Sequence, residues 1–197
     1  MAETSSAARS APLDGVAPLT HPALLMRPLP AATRLSLRVT VGAPANFAAL
    51  KGLDLGGAIN TWTGAAWTAS LAGIHALRLG PDEWLVLAPD GDAEPLAASL
   101  TAALSGRPHA IVDVSHRFAS LEIAGTAAED IVSAGCPLDL DARAFPTGTA
   151  TRSLLGKAEI VLARTDDRPG FRLEVARSLA AYVWDFLAEA ARDVVEN

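Results

Sequence analysis

Asp113, Ser115 and His116 are the residue types of a hydrolytic triad, and they lie almost side by side. A triad needs its base between nucleophile and orienter. On an extended strand Asp113 and Ser115 point to one face and His116 to the other. The spacing therefore argues for a strand end held by side-chain hydrogen bonds, with His116 and Arg117 at a turn or an interface. His109, Asp113 and His116 repeat no common zinc-binding spacing. Cys136 sits in Gly135-Cys136-Pro137, just past a helix end. A reactive thiolate wants a helix N-terminus or a cationic neighbour, so Cys136 reads as a small buried hydrophobe. As the single cysteine, it also excludes an internal disulfide and a multi-cysteine zinc site. Gly156-Lys157 is like the end of a phosphate loop, but Ala158 stands where Mg²⁺ needs Ser or Thr, and Thr151 replaces the first Gly. Of the four tryptophans, Trp62 and Trp67 fall in a Gly- and Thr-rich stretch and are candidates for an exposed contact. Arg and Trp anchor interfaces, so Trp62 and Arg117 are the expected interface residues; no catalytic, cofactor-binding or metal-binding residue is assigned.

Periodicity places these residues on elements. Residues 34–41 alternate as a half-buried strand, and 42–51 suit a short helix. Residues 73–79 and 84–88 form a hairpin across Gly80-Pro81-Asp82-Glu83. Residues 94–104 repeat apolar side chains at 96, 100 and 104, a helical stripe. Residues 109–114 and 118–124 read as strands. Thr126 and Glu129 have the spacing of a capping box for a helix to Ala134, with Gly135 at its C-terminal cap. Residues 157–164 and 170–176 form another hairpin, and a helix spans about 178–195. Hairpins joined through helices predict an α+β fold: antiparallel sheets with helices packed on one side, as tandem ferredoxin-like units. Residues 1–33 are rich in Pro and Ala and read as a tail followed by an apolar arm. Their prolines argue against a central strand, and 34–197 read as one compact domain.

The composition bounds the function. The 197 residues suffice for one domain or two small ones, at about 150 per domain. Half are hydrophobic and 19% are charged, which excludes a disordered chain. The 41 alanines add little core volume, so Leu, Ile, Val, Phe and Trp must carry the packing. A net charge of −6 without a basic run argues against nucleic acid. No apolar run is long enough for a membrane span, and the first residues lack a signal-peptide core, so a cytoplasmic location is expected.

Several of these motifs also occur together in one family. Leu79–Leu85 (LGPDEWL), Val112–Arg117 (VDVSHR), Gly135–Leu140 (GCPLDL) and Leu155-Gly156-Lys157 resemble the gamma subunit of heterotetrameric sarcosine oxidase. So do His21–Leu25 (HPALL), Asn60-Thr61-Trp62, and Phe171–Ser178 (FRLEVARS) running on to Tyr182 and Trp184. The resemblance covers residue 20 onward. It implies a fold like the folate-binding domain of the glycine-cleavage T-protein. It implies alpha, beta and delta partner subunits that hold FAD, FMN, NAD and zinc, and a reaction converting sarcosine to glycine with hydrogen peroxide and methylenetetrahydrofolate. The gamma chain itself would be structural and carry no cofactor. A Lys-x-Cys-x-x-Gly folate signature is absent around Cys136. The alternative is a stand-alone folate-binding or aminomethyltransferase-like protein.

Overall fold

The structure, a computed structural model, describes residues 10–40, 53, 55–67, 71–166 and 169–195. The helix expected over 42–51 lies outside the described residues. In chain order the strands are β1 (Leu19–His21), β2 (Leu24–Pro28), β3 (Ala32–Val39), β4 (Thr61–Gly64), β5 (His75–Arg78) and β6 (Glu83–Pro89). They continue with β7 (His109–Asp113), β8 (Phe118–Ala124), β9 (Ala150–Leu155), β10 (Ala158–Asp166) and β11 (Gly170–Ala176). The helices are α1 (Ala93–Ala103), α2 (Ala128–Ser133), α3 (Ala180–Ala190) and α4 (Arg192–Val195). One sheet has the order β1-β2-β8-β11-β10-β9, the other β4-β5-β6-β3-β7. All registered pairs are antiparallel.

Alternation sorts each strand between two layers. In β11, Phe171, Leu173 and Val175 pack with Ile131, Val183 and Leu187 of the helices on one core. In β3, Leu35 and Leu37 pack with Leu96 and Leu100 of α1 on a second core. A third cluster (Leu77, Leu85 and Leu87 against Val161 and Ala163) joins the inner faces of the two sheets. The result is helix, sheet, sheet, helix: each sheet carries helices on one side and the other sheet on its opposite side. The sheets also touch along one edge, where Trp62 N–H donates to Gly148 O at 2.8 Å and Ala150 N–H to Asn60 O at 3.0 Å.

Both sheets contain the ferredoxin-like order. In the second sheet, β3, β5, β6 and β7 lie as β5-β6-β3-β7, with α1 crossing between the last two in chain order. In the first, β8, β10 and β11 take the corresponding first three places. The fourth place, beside β8, is filled by β2 from the N-terminal arm.

Four strands differ from the sequence reading. β4 lies in the unplaced Gly- and Thr-rich stretch, β9 in residues given no element, and β1 and β2 in the arm whose prolines argue against a central strand. Those prolines fall where no ladder hydrogen bond is needed: Pro22 in the β1–β2 turn, Pro28 at the end of β2. Leu24 and Met26 are buried in the first core, and so is Leu13 of the expected tail. The capping box is absent. Ala127 precedes α2 without a side-chain cap, and Glu129 instead pairs at 2.6 Å with the buried guanidinium of Arg164. A cap contributes about 1 kcal/mol, whereas an unpaired buried charge costs several, so the ion pair wins. Gly135 is not the left-handed cap; its missing Cβ makes room for the Phe186 ring, which a methyl there would meet at 2.5 Å. The last helix breaks at Ala191 into α3 and α4.

Candidate functional site

The layer between the sheets is crossed by charge. Arg172 and Glu174 alternate with the apolar face of β11 and therefore face the other sheet. Arg34 comes from β3 to meet them. Its Nε donates to Glu174 Oε2 at 2.6 Å, and its Nη1 to Ala32 O at 3.0 Å. Arg172 Nε donates to Glu174 Oε1 at 2.7 Å. Ser120 of β8 closes the cluster: its hydroxyl donates to Glu174 Oε1 at 2.8 Å and accepts from Arg34 and, at 3.0 Å, from Arg172. Arg34, Arg172 and Glu174 are each under 5% exposed. Burial pushes the Glu174 carboxyl up, but the Arg34 and Arg172 charges and the Ser120 hydroxyl together hold it below its ordinary range.

An aromatic stack lies against this cluster. The Arg172 guanidinium sits over the Trp67 ring at 5.5 Å. Trp67 stacks on His75 at 4.0 Å and meets Trp62 edge-on at 5.1 Å. Trp62 Nε1 donates to Arg164 O at 2.8 Å. His75 is fully buried, and among the described residues neither ring nitrogen has a partner. Burial, then the Arg172 charge, lowers its pKa to about 4, so it is neutral at pH 7.

A cavity of about 470 Å³ opens beside the stack, between the β1–β2 turn and the β10–β11 end. His21, Pro22, Leu25, Trp67, Glu122 and Arg172 are among its lining residues. A second cavity, about 510 Å³, is walled by the N-terminal segment, Arg34 and Ser115. A shallow groove beyond it contains Pro12, Arg117, Arg177 and Ser178. Among the described residues, no group of three or more His, Cys, Asp or Glu could hold a metal ion. No helix among them is long and apolar enough to cross a membrane.

The residues singled out in the sequence separate. Asp113 Oδ1 accepts from Ser115 N–H at 2.9 Å and from its hydroxyl at 2.5 Å, while Ser115 Oγ accepts from Arg34 N–H at 2.9 Å. This is the strand end tied by side chains, and Ser115–Arg117 form a 3₁₀ turn after β7. Cys136 is buried, with Sγ 3.5 Å from Ser153 Oγ. Gly156-Lys157 is the two-residue turn of the β9–β10 hairpin, and Tyr182 Oη accepts from Lys157 N–H at 3.1 Å. Trp62 is half-buried between the sheets, while Arg117 lies at the surface with its guanidinium over Phe118. The sequence reading passed over Arg34, Glu122, Arg172 and Glu174. Their one signal is charge set in strict alternation with large apolar residues.

The family model for the sarcosine oxidase gamma subunit family matches residues 42–193. The chain is 35% identical over 156 residues to the sarcosine oxidase subunit gamma of Arthrobacter sp., covering 78% of this chain and 73% of that protein. It is 33% identical over 173 residues to that of Corynebacterium sp. strain P-1, covering 86% and 83%. Its structure superposes on a chain of the heterotetrameric sarcosine oxidase from Corynebacterium sp. U-96 in complex with pyrrole 2-carboxylate. There the TM-score is 0.80 at 26% identity, over 94% of this chain and 95% of that one. The glycine cleavage system aminomethyltransferase T of Bartonella henselae shares the fold, with a TM-score of 0.63 at 12% identity over 88% of this chain and 46% of that one. Matching family model and relatives alike, the chain belongs to the sarcosine oxidase gamma subunit family.

Proposed function

We propose that the chain is the gamma subunit of a heterotetrameric sarcosine oxidase and serves it as a structural subunit. The observation that carries this reading is the match to the U-96 oxidase chain over nearly the whole length of both. The reaction of the complex would be sarcosine, oxygen and tetrahydrofolate giving glycine, hydrogen peroxide and methylenetetrahydrofolate. Alpha, beta and delta partners would hold FAD, FMN, NAD and zinc. The buried polar cluster Arg34–Glu174–Arg172–Ser120 supports a structural role, because its hydrogen bonds join one sheet to the other.

Affinity purification from the native cell tests the reading. Large flavin-containing chains should accompany the tagged protein, and the chain alone should be colourless and inactive on sarcosine. Sarcosine oxidation by the lone chain would overturn it. Tight one-to-one binding of a reduced folate to the lone chain would favour a folate-binding module instead. We assign Arg117 and Trp62 to the partner interface. Arg117→Ala should weaken co-purification while leaving the thermal midpoint of the lone chain unchanged, because Arg117 lies at the surface. Unchanged co-purification would reject its placement. Trp62→Phe loses the indole bond to Arg164 and part of the edge contact with Trp67, and should weaken assembly.

A further inference from the structure

We infer that the cavity beside Trp67 is a binding site for a small α-amino acid in its zwitterionic form. In β2, β8 and β11 the residues Arg27, Glu122 and Arg172 lie directly opposite one another, in a single row across three strands. Side chains so placed share a face with Cβ atoms about 5 Å apart, close enough for opposite charges to pair. Arg27 and Glu122 do pair, at 2.5 Å. Glu122 and Arg172 do not: among the described residues no ion pair joins them, although both line the cavity. Glu122 is turned outward to Arg27, and Arg172 inward to Glu174 and Ser120. The row is therefore split, with Glu122, paired to Arg27, on one side of the gap and Arg172, paired to Glu174, on the other, and Asp166 adds a second carboxylate to the lining.

The chemistry of the gap selects its occupant. A simple carboxylate would be attracted by Arg172 and repelled by Glu122. A simple amine would meet the reverse. A molecule carrying both charges two bonds apart satisfies each wall at once. Arg172 has a donor to give, since Nε and Nη2 are engaged and Nη1 has no hydrogen-bond partner among the described residues. Arg172 and Glu174 are almost wholly buried, so this corner of the cavity is fixed by packing before any ligand arrives. Pro22, Leu25 and the Trp67 ring supply apolar walls, which suit an aliphatic side chain. The volume is ample for a single amino acid. The inference stands on this chain alone and does not depend on how the chain assembles.

The test uses the full chain and three probes of one shape: valine, isovalerate (valine without its ammonium) and isobutylamine (valine without its carboxylate). Tryptophan fluorescence and the thermal midpoint are the readouts, because Trp67 lines the site. Valine should saturate in the millimolar range, with isovalerate and isobutylamine each weaker by about tenfold or more. Glu122→Gln should weaken valine by about tenfold and bring isovalerate level with it. Leu25→Trp should fill the cavity and abolish saturation by all three while the fold persists, because Leu25 is only partly buried. Isovalerate binding as tightly as valine to the unmodified chain would overturn the inference. So would absence of any saturable response, or a valine response that survives both variants.

Discussion

Glu174 is the carboxylate on which both sheets converge. Glu174→Gln keeps the shape but leaves Arg34 and Arg172 buried without an anion, so chemical denaturation should show a loss of about 3–5 kcal/mol. An unchanged midpoint would mean that the arginines reach water. His75 gives a pH dependence of definite sign. Its pKa is lowered to about 4 in the folded chain, against about 6.5 unfolded. The unfolded state binds the proton first, so stability is intact above pH 6.5 and falls as the pH drops towards 4, by roughly 3 kcal/mol from this group. His75→Phe should flatten that slope in denaturant midpoints measured between pH 7 and 4. The apolar halves of these strands were legible in the sequence, since Phe171, Leu173 and Val175 alternate cleanly. The charged halves were not. Alternation says that Arg172 and Glu174 share the opposite face, and that face is solvent in an ordinary one-sided sheet. Here it is a second sheet, which local pattern cannot reveal.

At the scale of elements, the N-terminal arm is the decisive case. Read locally, its prolines argue against a central strand, and no short-range signal names a strand whose partner lies so far along the chain. Its sites show how tightly it is bound in. Gly125 has φ of +116°, and a Cβ there would collide with Ala23 O. Gly125→Ala should therefore destabilise by more than 1 kcal/mol and loosen the arm first, which hydrogen exchange at Met26 and Arg27 would report. Protection unchanged at those amides would show that the arm is held from elsewhere. The hairpins β5–β6 and β10–β11, by contrast, were readable within a residue or two, because turn chemistry and alternation lie together in the chain. Gly156 was visible only as a motif fragment; its role is a hairpin turn with φ of +57°, packed under Tyr182.

On the scale of the whole molecule, two ferredoxin-like units pack sheet to sheet with helices outermost; the order of hairpins and helices pointed to the tandem units, and their face-to-face packing comes from the structure. What sequence could not supply was the pairing between units: Arg34 on Glu174, Trp62 on Arg164, Thr61 beside Thr149. The same limit applied to the candidate cavity, whose walls come from β2, β8, β11 and the segment holding Trp67. The borrowed strand β2 sets a timetable for the chain as it leaves the ribosome. At about 5–20 residues per second, the strands of the second sheet are all synthesised by Asp113, and that unit can close on itself. The arm was made before any of them, yet its partner β8 appears only after all of them, and the helices that cover Met26 later still. For those seconds Leu24, Leu25 and Met26 are an apolar strand without a sheet, open to a chaperone or to another nascent chain.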